Sequence, residues 1–338
     1  MKRRYRCASL IILCLLLVIP ACAHAPLDTR ESGDLATAVL IAQPDKSYVI
    51  YGHLHEPNEI AYYRFDMAAG QTLHAALLVN SRSTTAPDLI IMGPGIPSSG
   101  TPPATLQIPP GSGILVIPGR LPERPGYEPF SPAALFPVAS STTVVPASGT
   151  YYVAVVSSAG KQDYSFAPGF KEEFTAAEWL FVPVSVIGGH VWEGQSPFIV
   201  LAPCIALVLL GIALLIRQQR RAGISRSLFS WCAITAGLLY LGGASVTFTQ
   251  MVRALGITGW DNAAVLTLLF IIIPVVLGIA AIRTGFGTDK PLPVTTRISL
   301  SIIGMLGLLF WAGLIIGPVI AFFAAILPEQ LNGRRPSP

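Results

Sequence analysis

The feature that most restricts what this chain can become lies in its second half. Four apolar runs, at 197–216, 228–248, 263–282 and 300–327, are each long enough to cross a hydrocarbon core of about 30 Å as a helix. With 52% hydrophobic and only 12% charged residues, the whole chain belongs to the membrane class. Ser196-Pro197 supplies a cap and a first-turn proline where the first run begins. The runs contain no Asp, Glu, Lys, Arg or His, the residues that mark proton relays and ion pathways, which argues against a pump or an ion-coupled transporter. They do contain small-residue spacings, Gly313-x-x-x-Gly317 and a Gly237/Gly242/Gly243/Ser245 face, suited to close packing with partner helices or within the chain's own bundle.

The loop at 217–227 carries four arginines, and the loop at 283–297 is also net basic, so both are expected in the cytoplasm. The soluble part before the runs is then outside. One signal conflicts: four crossings return the C-terminus to the outside, yet the polar tail at 328–338 carries Arg334 and Arg335. The last run also holds Pro318, which allows a kink, a tilt or partial re-entry.

At the other end, residues 1–23 read as a secretory signal: Lys2, Arg3, Arg4 and Arg6 precede a short apolar core and small residues. Two processing outcomes stay open. A lipoprotein signal ending at residue 21 would leave a lipidated Cys22, whereas cleavage at Ala21-Cys22-Ala23 would leave His24 first. The five cysteines all fall in the signal or in apolar runs, so the soluble part has no disulfide and no cysteine-based zinc site. The net charge of +4 sits largely in the signal and the membrane loops and gives no support for nucleic-acid binding.

From about Lys46 the pattern changes to short β-rich runs divided by turn residues such as Pro57-Asn58, Ala69-Gly70, Ser148-Gly149 and Ala159-Gly160. This predicts an antiparallel, jelly-roll-like β-sandwich over 26–170. A Pro/Gly-rich insertion at 94–140 interrupts it and is too long for a simple hairpin connection. Its second part gathers Arg120, Arg124, Tyr127 and Phe130, which suit either a partner-binding loop with aromatic anchors or a flap packed on the sandwich. The segment 171–196 contains a capping box, Thr175-Ala-Ala-Glu178, and interfacial aromatics. A juxtamembrane helix is expected there, broken near Pro183 or Gly188-Gly189, with His190 and Glu193 one turn apart.

The pattern Gly52-His53-Leu54, then YYRFD at Tyr62–Asp66, AGQTL at Ala69–Leu73, Asp88-Leu89, GTYYVAV at Gly149–Val155 and DYSF at Asp163–Phe166 resembles the bacterial pre-peptidase C-terminal domain. That resemblance implies an adhesion or accessory module of the kind appended to secreted enzymes, although no protease domain accompanies it here.

The stretch YGHLHEPNE raises a metal question. On a strand, Tyr51, His53 and His55 share one face, so the two imidazoles stand roughly 7 Å apart and can chelate copper or zinc if Glu59 or His74 supplies a further ligand. A mature N-terminal His24 would offer an amine and an imidazole to copper. The alternative is a solvated strand face. Catalytic signatures are absent, with no G-x-S-x-G, no H-E-x-x-H and no phosphate-binding lysine loop. The expectation is therefore a non-enzymatic binding or accessory protein of the cell membrane, in contact with the bilayer and with a surface protein or glycan; metal handling and a cryptic hydrolase are the alternatives.

Overall fold

In a computed structural model, residues 25–27, 33–223, 225–287 and 292–328 are described. The signal segment, Cys22, His24, Arg334 and Arg335 lie outside them. The chain divides into two compact units, and the boundary passes through the insertion. Residues 33–78, 87–120 and 139–174 belong to a β-rich unit; residues 79–86, 121–138 and 175 onwards belong to a helical one.

The strands are β1 (Ala25–Pro26), β2 (Val39–Leu40), β3 (Tyr48–Leu54), β4 (Ile60–Met67), β5 (Thr72–Asn80), β6 (Asp88–Pro94), β7 (Ser112–Ile117), β8 (Gly126–Glu128), β9 (Ala133–Val144), β10 (Gly149–Val156) and β11 (Gln162–Pro168). They form two mostly antiparallel sheets, ordered β1-β3-β11-β5-β9-β8 and β2-β4-β10-β6-β7. Alternation explains the first sheet: on β3, Ile50, Gly52 and Leu54 are buried, while Tyr51 and His53 lie on the opposite face and His55 follows the strand, exposed. In the second sheet both faces of β4 and β10 are covered. One face carries Tyr63, whose ring lies 4.4 Å from Phe166 and whose hydroxyl bonds that of Tyr164, both on β11. The other face carries Ile60, Tyr62, Ile90 and Ala154 and is roofed by Leu35 and by Leu106 of the insertion. The first part of the insertion is thus a flap, held by the Gln107 amide donating to the Tyr62 hydroxyl.

In the helical unit, α1 (Ala176–Trp192) opens on the expected capping box: the Glu178 amide donates to Thr175 Oγ1, and the Thr175 amide to Glu178 Oε2. The helix continues through Pro183 and Gly188-Gly189, contrary to the expected break. Gly194, at φ 82°, then turns the chain beneath the Arg82 guanidinium, in a space that a Cβ would fill. Among the described residues, three helices follow that are long and apolar enough to cross a membrane: α2 (Pro197–Ala222), α3 (Leu228–Thr258) and α4 (Ala264–Phe286). They pack where side chains are small, Gly237 of α3 against Gly278 of α4, and Gly242 of α3 against Cys204 of α2.

The fourth apolar run departs from the expected single helix. It forms α5 (Val294–Leu309), a 3₁₀ turn (Ala312–Leu314) and α6 (Ile316–Ile326). Trp311, Gly313, Leu314 and Ile315 all take positive φ, which reverses the chain. Gly304 packs on Phe322 and Gly307 beside Pro318, while the Arg297 guanidinium donates to the carbonyls of Ala325 and Leu327 at 2.9 and 2.7 Å. These pairings describe an antiparallel hairpin. At a rise of about 1.5 Å per residue, its arms reach only about 24 and 17 Å, less than the hydrocarbon thickness.

Candidate functional site

Two arrangements in this molecule have the makings of a site, one in each unit. In the β-rich unit, antiparallel register puts His53 of β3 opposite Asp163 of β11. The Asp163 carboxylate accepts from His53 Nδ1 at 2.7 Å, which fixes the ring and leaves Nε2 outward. The His55 ring lies beside it at 6.5 Å between centroids, close to the spacing expected from strand geometry. The other two named ligands are not brought to this pair. The Glu59 carboxylate accepts the backbone amides of His55 and Glu56, closing the turn that follows β3. His74 lies on β5, beyond β11 in the sheet, and its backbone carbonyl accepts from the amide of Gly169, just past the end of β11 and six residues from Asp163. Its Nδ1 is engaged with Thr142 Oγ1, and burial holds its pKa below the usual imidazole value. Among the described residues no three His, Cys, Asp or Glu side chains converge as a metal cage.

The insertion residues singled out in the sequence separate in the same way. Arg120 and Arg124 are exposed, whereas Tyr127 and Phe130 are turned inward within the helical unit. Tyr127 is buried among Met251, Ala254 and Ala264. The Thr267 hydroxyl donates to Pro129 O at 2.7 Å, so the 2.8 Å contact between the Tyr127 and Thr267 hydroxyls has tyrosine as donor. Phe130 packs edge-on against Phe270 at 5.7 Å. Between them, burial pushes the Glu128 carboxyl up to about 7, opposed by the Phe130 amide that donates to it. The aromatic pair thus fastens residues 121–138 to α3 and α4, closer to the packed-flap alternative than to a free binding loop, although it packs on helices.

The second arrangement was barely visible in the sequence. At the end of α1, His190 is 1% exposed and Gln195 6%. Gln195 and Gln250 of α3 exchange amide hydrogen bonds at 3.0 and 2.9 Å, and Gln195 Nε2 also donates to Glu193 at 3.1 Å. His190 Nδ1 faces Gln195 Nε2 at 3.5 Å and Glu193 Oε1 at 3.6 Å. This polar cluster borders a cavity of about 70 Å³. Its walls come from α1 (Val182, Ile187), α3 (Gly243, Thr247), Phe270 of α4 and the hairpin turn. Trp311 at that turn stacks on Phe270 at 5.4 Å and donates from Nε1 to Trp179 O, while Trp179 Nε1 donates to Leu308 O. The spacing of His190 and Glu193 was legible. Gln195 and Gln250 were not, because single glutamines at a helix start and in a long apolar helix carry no motif.

Compared with known proteins, the sequence matches no family model and no curated protein. The functional reading therefore rests on these two arrangements and on the membrane-type helices.

Proposed function

We propose that this chain is a multi-pass protein of the cell membrane that carries a β-sandwich outside the cytoplasm and works by binding, without catalytic or transport chemistry of its own. Tyr63 meeting Phe166 and Tyr164 supports the face-to-face packing of the two sheets, the arrangement that the resemblance to the pre-peptidase C-terminal domain also implies. The lipid bilayer is the partner of α2, α3 and α4, whose outward surfaces are apolar.

The observation that carries the binding reading is the hairpin. Backbone that leaves the helical ladder at membrane depth is tolerated where it is covered by protein or lines a cavity, and broken helices of this kind mark binding sites in membrane proteins. Here the turn at 310–315 lines the cavity beside His190. A hairpin entering from the cytoplasmic side also removes the conflict in the charge pattern. Three crossings and one re-entrant hairpin place the loops at 217–227 and 283–297 and the Arg334/Arg335 tail on one side. A reporter fused after Pro338 that is active only in the cytoplasm should be active. Activity instead from a reporter that works only outside would restore four full spans and remove the hairpin from the membrane.

A second reading concerns copper or zinc on the β-rich unit, favoured by the Asp163 carboxylate on His53 Nδ1, the orientation that metal-bound imidazoles use. Full-length protein with its native processing should then lose bound metal on combined His53→Ala and His55→Ala substitution. Unchanged content would assign these rings to a solvated face.

A further inference from the structure

We propose that the end of the helical unit where α2 finishes, α3 begins and α4 finishes holds the head group of an anionic phospholipid, with the Arg226 guanidinium as the fork on its phosphate. This deepens the reading that α2, α3 and α4 lie in a bilayer, and it rests on that reading.

Charge is sorted to opposite ends of these helices. Gly211 of α2 packs on Leu238 of α3, Gly242 of α3 on Cys204 of α2, and Gly285 of α4 on Ser230 of α3, while Gly237 meets Gly278, so successive helices run antiparallel. Arg217, Arg220 and Arg221 close α2, Arg226 precedes α3 and Arg283 lies in the last turn of α4, all at one end. Among the described residues from 197 onwards Asp261 is the only acid, and it lies in the loop at the far ends of α3 and α4. No carboxylate of these helices offsets the arginine end, so it attracts an anion.

Arg226 is held in place from two sides. Its Nη2 donates to Gln218 Oε1 of α2 at 2.9 Å, and its guanidinium carbon lies 4.3 Å from the centroid of the Phe286 ring on α4. Its Nε is buried and has no hydrogen-bond partner among the described residues. An unmet donor on a charged fork is costly, and a phosphate oxygen is the acceptor that suits planar, two-point recognition by arginine. Arg283 stands one turn before Phe286 and adds a second positive charge on the side of α4 where Arg226 stacks. That side also selects the body of the ligand. Ile272, Val276 and Ile279 precede Arg283 and Phe286 at steps of three and four residues and are exposed, so an apolar stripe leads from mid-helix to the two guanidiniums. A ligand with a negatively charged phosphate and an apolar chain meets both features. Inorganic phosphate leaves the stripe uncovered, and the ammonium of a choline head group meets like charge.

The test is native mass spectrometry of full-length protein extracted from vesicles of equal parts phosphatidylglycerol and phosphatidylcholine. Phosphatidylglycerol should be retained in about tenfold excess over phosphatidylcholine, the factor that one charge-assisted contact supplies. Arg226→Lys keeps the charge and removes the fork, so it should abolish most of that excess, whereas Arg221→Lys, at the exposed end of α2, should leave it unchanged. Equal retention of the two lipids would overturn the proposal. So would an excess that survives Arg226→Lys, because net charge alone would then account for it. If Arg226→Lys does not fold, Phe286→Leu decides in the same way: it keeps every charge and removes the partly exposed ring on which the fork rests. Displacement of the retained lipid by glycerol 1-phosphate would assign the site to a soluble phosphate and overturn the lipid as occupant. Carbonate extraction keeps the two readings apart: protein that stays in the membrane pellet yet retains both lipids equally loses the head-group site and keeps its membrane arrangement.

Discussion

The β-rich and helical units are built on opposite plans. In the first, apolar side chains point in, as Ile50 and Leu54 do at 1% exposure, while His53 faces out. In the second, Phe198 is 79% exposed and Leu209 and Leu210 62%, whereas Gln195, Gln250 and Thr267 are buried. Water drives the first arrangement, because burying apolar area releases it from hydration. Lipid removes that drive, so helices must instead be held by close approach of small residues and by hydrogen bonds between them. The same Leu or Gln therefore carries opposite meaning in the two units.

The sharpest way to break this comparison is to replace a small residue at a helix contact. A Cβ on Gly237 would lie 2.5 Å from the backbone oxygen of Gly278, and a rigid carbonyl cannot move aside. Gly237→Leu should prevent folding of the helical unit, a loss above about 4 kcal/mol, the range reserved for severe overpacking and lost core structure. Retention of wild-type helicity and thermal stability in detergent would show that α3 and α4 are not held by this contact. The β-rich counterpart is Gly52, where a Cβ would overlap the Tyr164 ring. A ring can tilt, so Gly52→Val should cost less, about 1–3 kcal/mol as for other overpacked cores. Equal losses at the two sites would erase the distinction between backbone-limited and side-chain-limited packing.

How much of this was legible in the sequence depended on which physical signal carried it. Period-two alternation announced β3 and its outward histidines, and the capping box announced the start of α1. Long apolar runs gave α2, α3 and α4. The fourth run misled because hydropathy is blind to chain reversal: Trp311, Leu314 and Ile315 at positive φ are residues that no turn rule selects. The spacing of Gly313 and Gly317 does signal close packing, and the two pack on Tyr240 within this chain. The two parts of the insertion meet different fates: Leu106 roofs a sheet and Tyr127 joins the helices. Nothing local distinguishes those two fates, since both depend on which apolar surface lies within reach. The metal set suffered likewise, because strand order, which the sequence does not state, puts β11 between β3 and β5.

A pH test sharpens the comparison from the side of charge. The Glu128 carboxyl is raised from 4.5 to about 7 in the folded protein by burial. Between those values the folded state holds a proton that the unfolded state has released, so stability falls as pH rises through the window and stays lowered above it. Glu128→Gln removes the titration. It should raise the melting temperature at pH 8, by the equivalent of about 1–3 kcal/mol after allowing for partial exposure, and change little at pH 4. An equal gain at both pH values would show that size or hydrogen bonding, and not charge, sets the effect.

The smallest expected effect comes from the hydroxyl that fastens the insertion to the helices. Tyr127→Phe removes a donor while Thr267 keeps its own bond to Pro129 O, so no buried donor is orphaned. Only one neutral hydrogen bond is lost, worth about 1 kcal/mol, and the ring remains packed on Met251 and Ala254. The paired substitution Thr267→Val should cost more, because it removes an acceptor from the buried Tyr127 hydroxyl and a donor from the part-buried Pro129 carbonyl at once. Thermal melts of the two single variants and the double should therefore be non-additive, with Tyr127→Phe partly relieving Thr267→Val. Strict additivity would mean that the two hydroxyls do not share a bond. In that case residues 121–138 would be held on the helices by apolar contact alone, and hydrogen bonding would lose its place in the contrast at this contact.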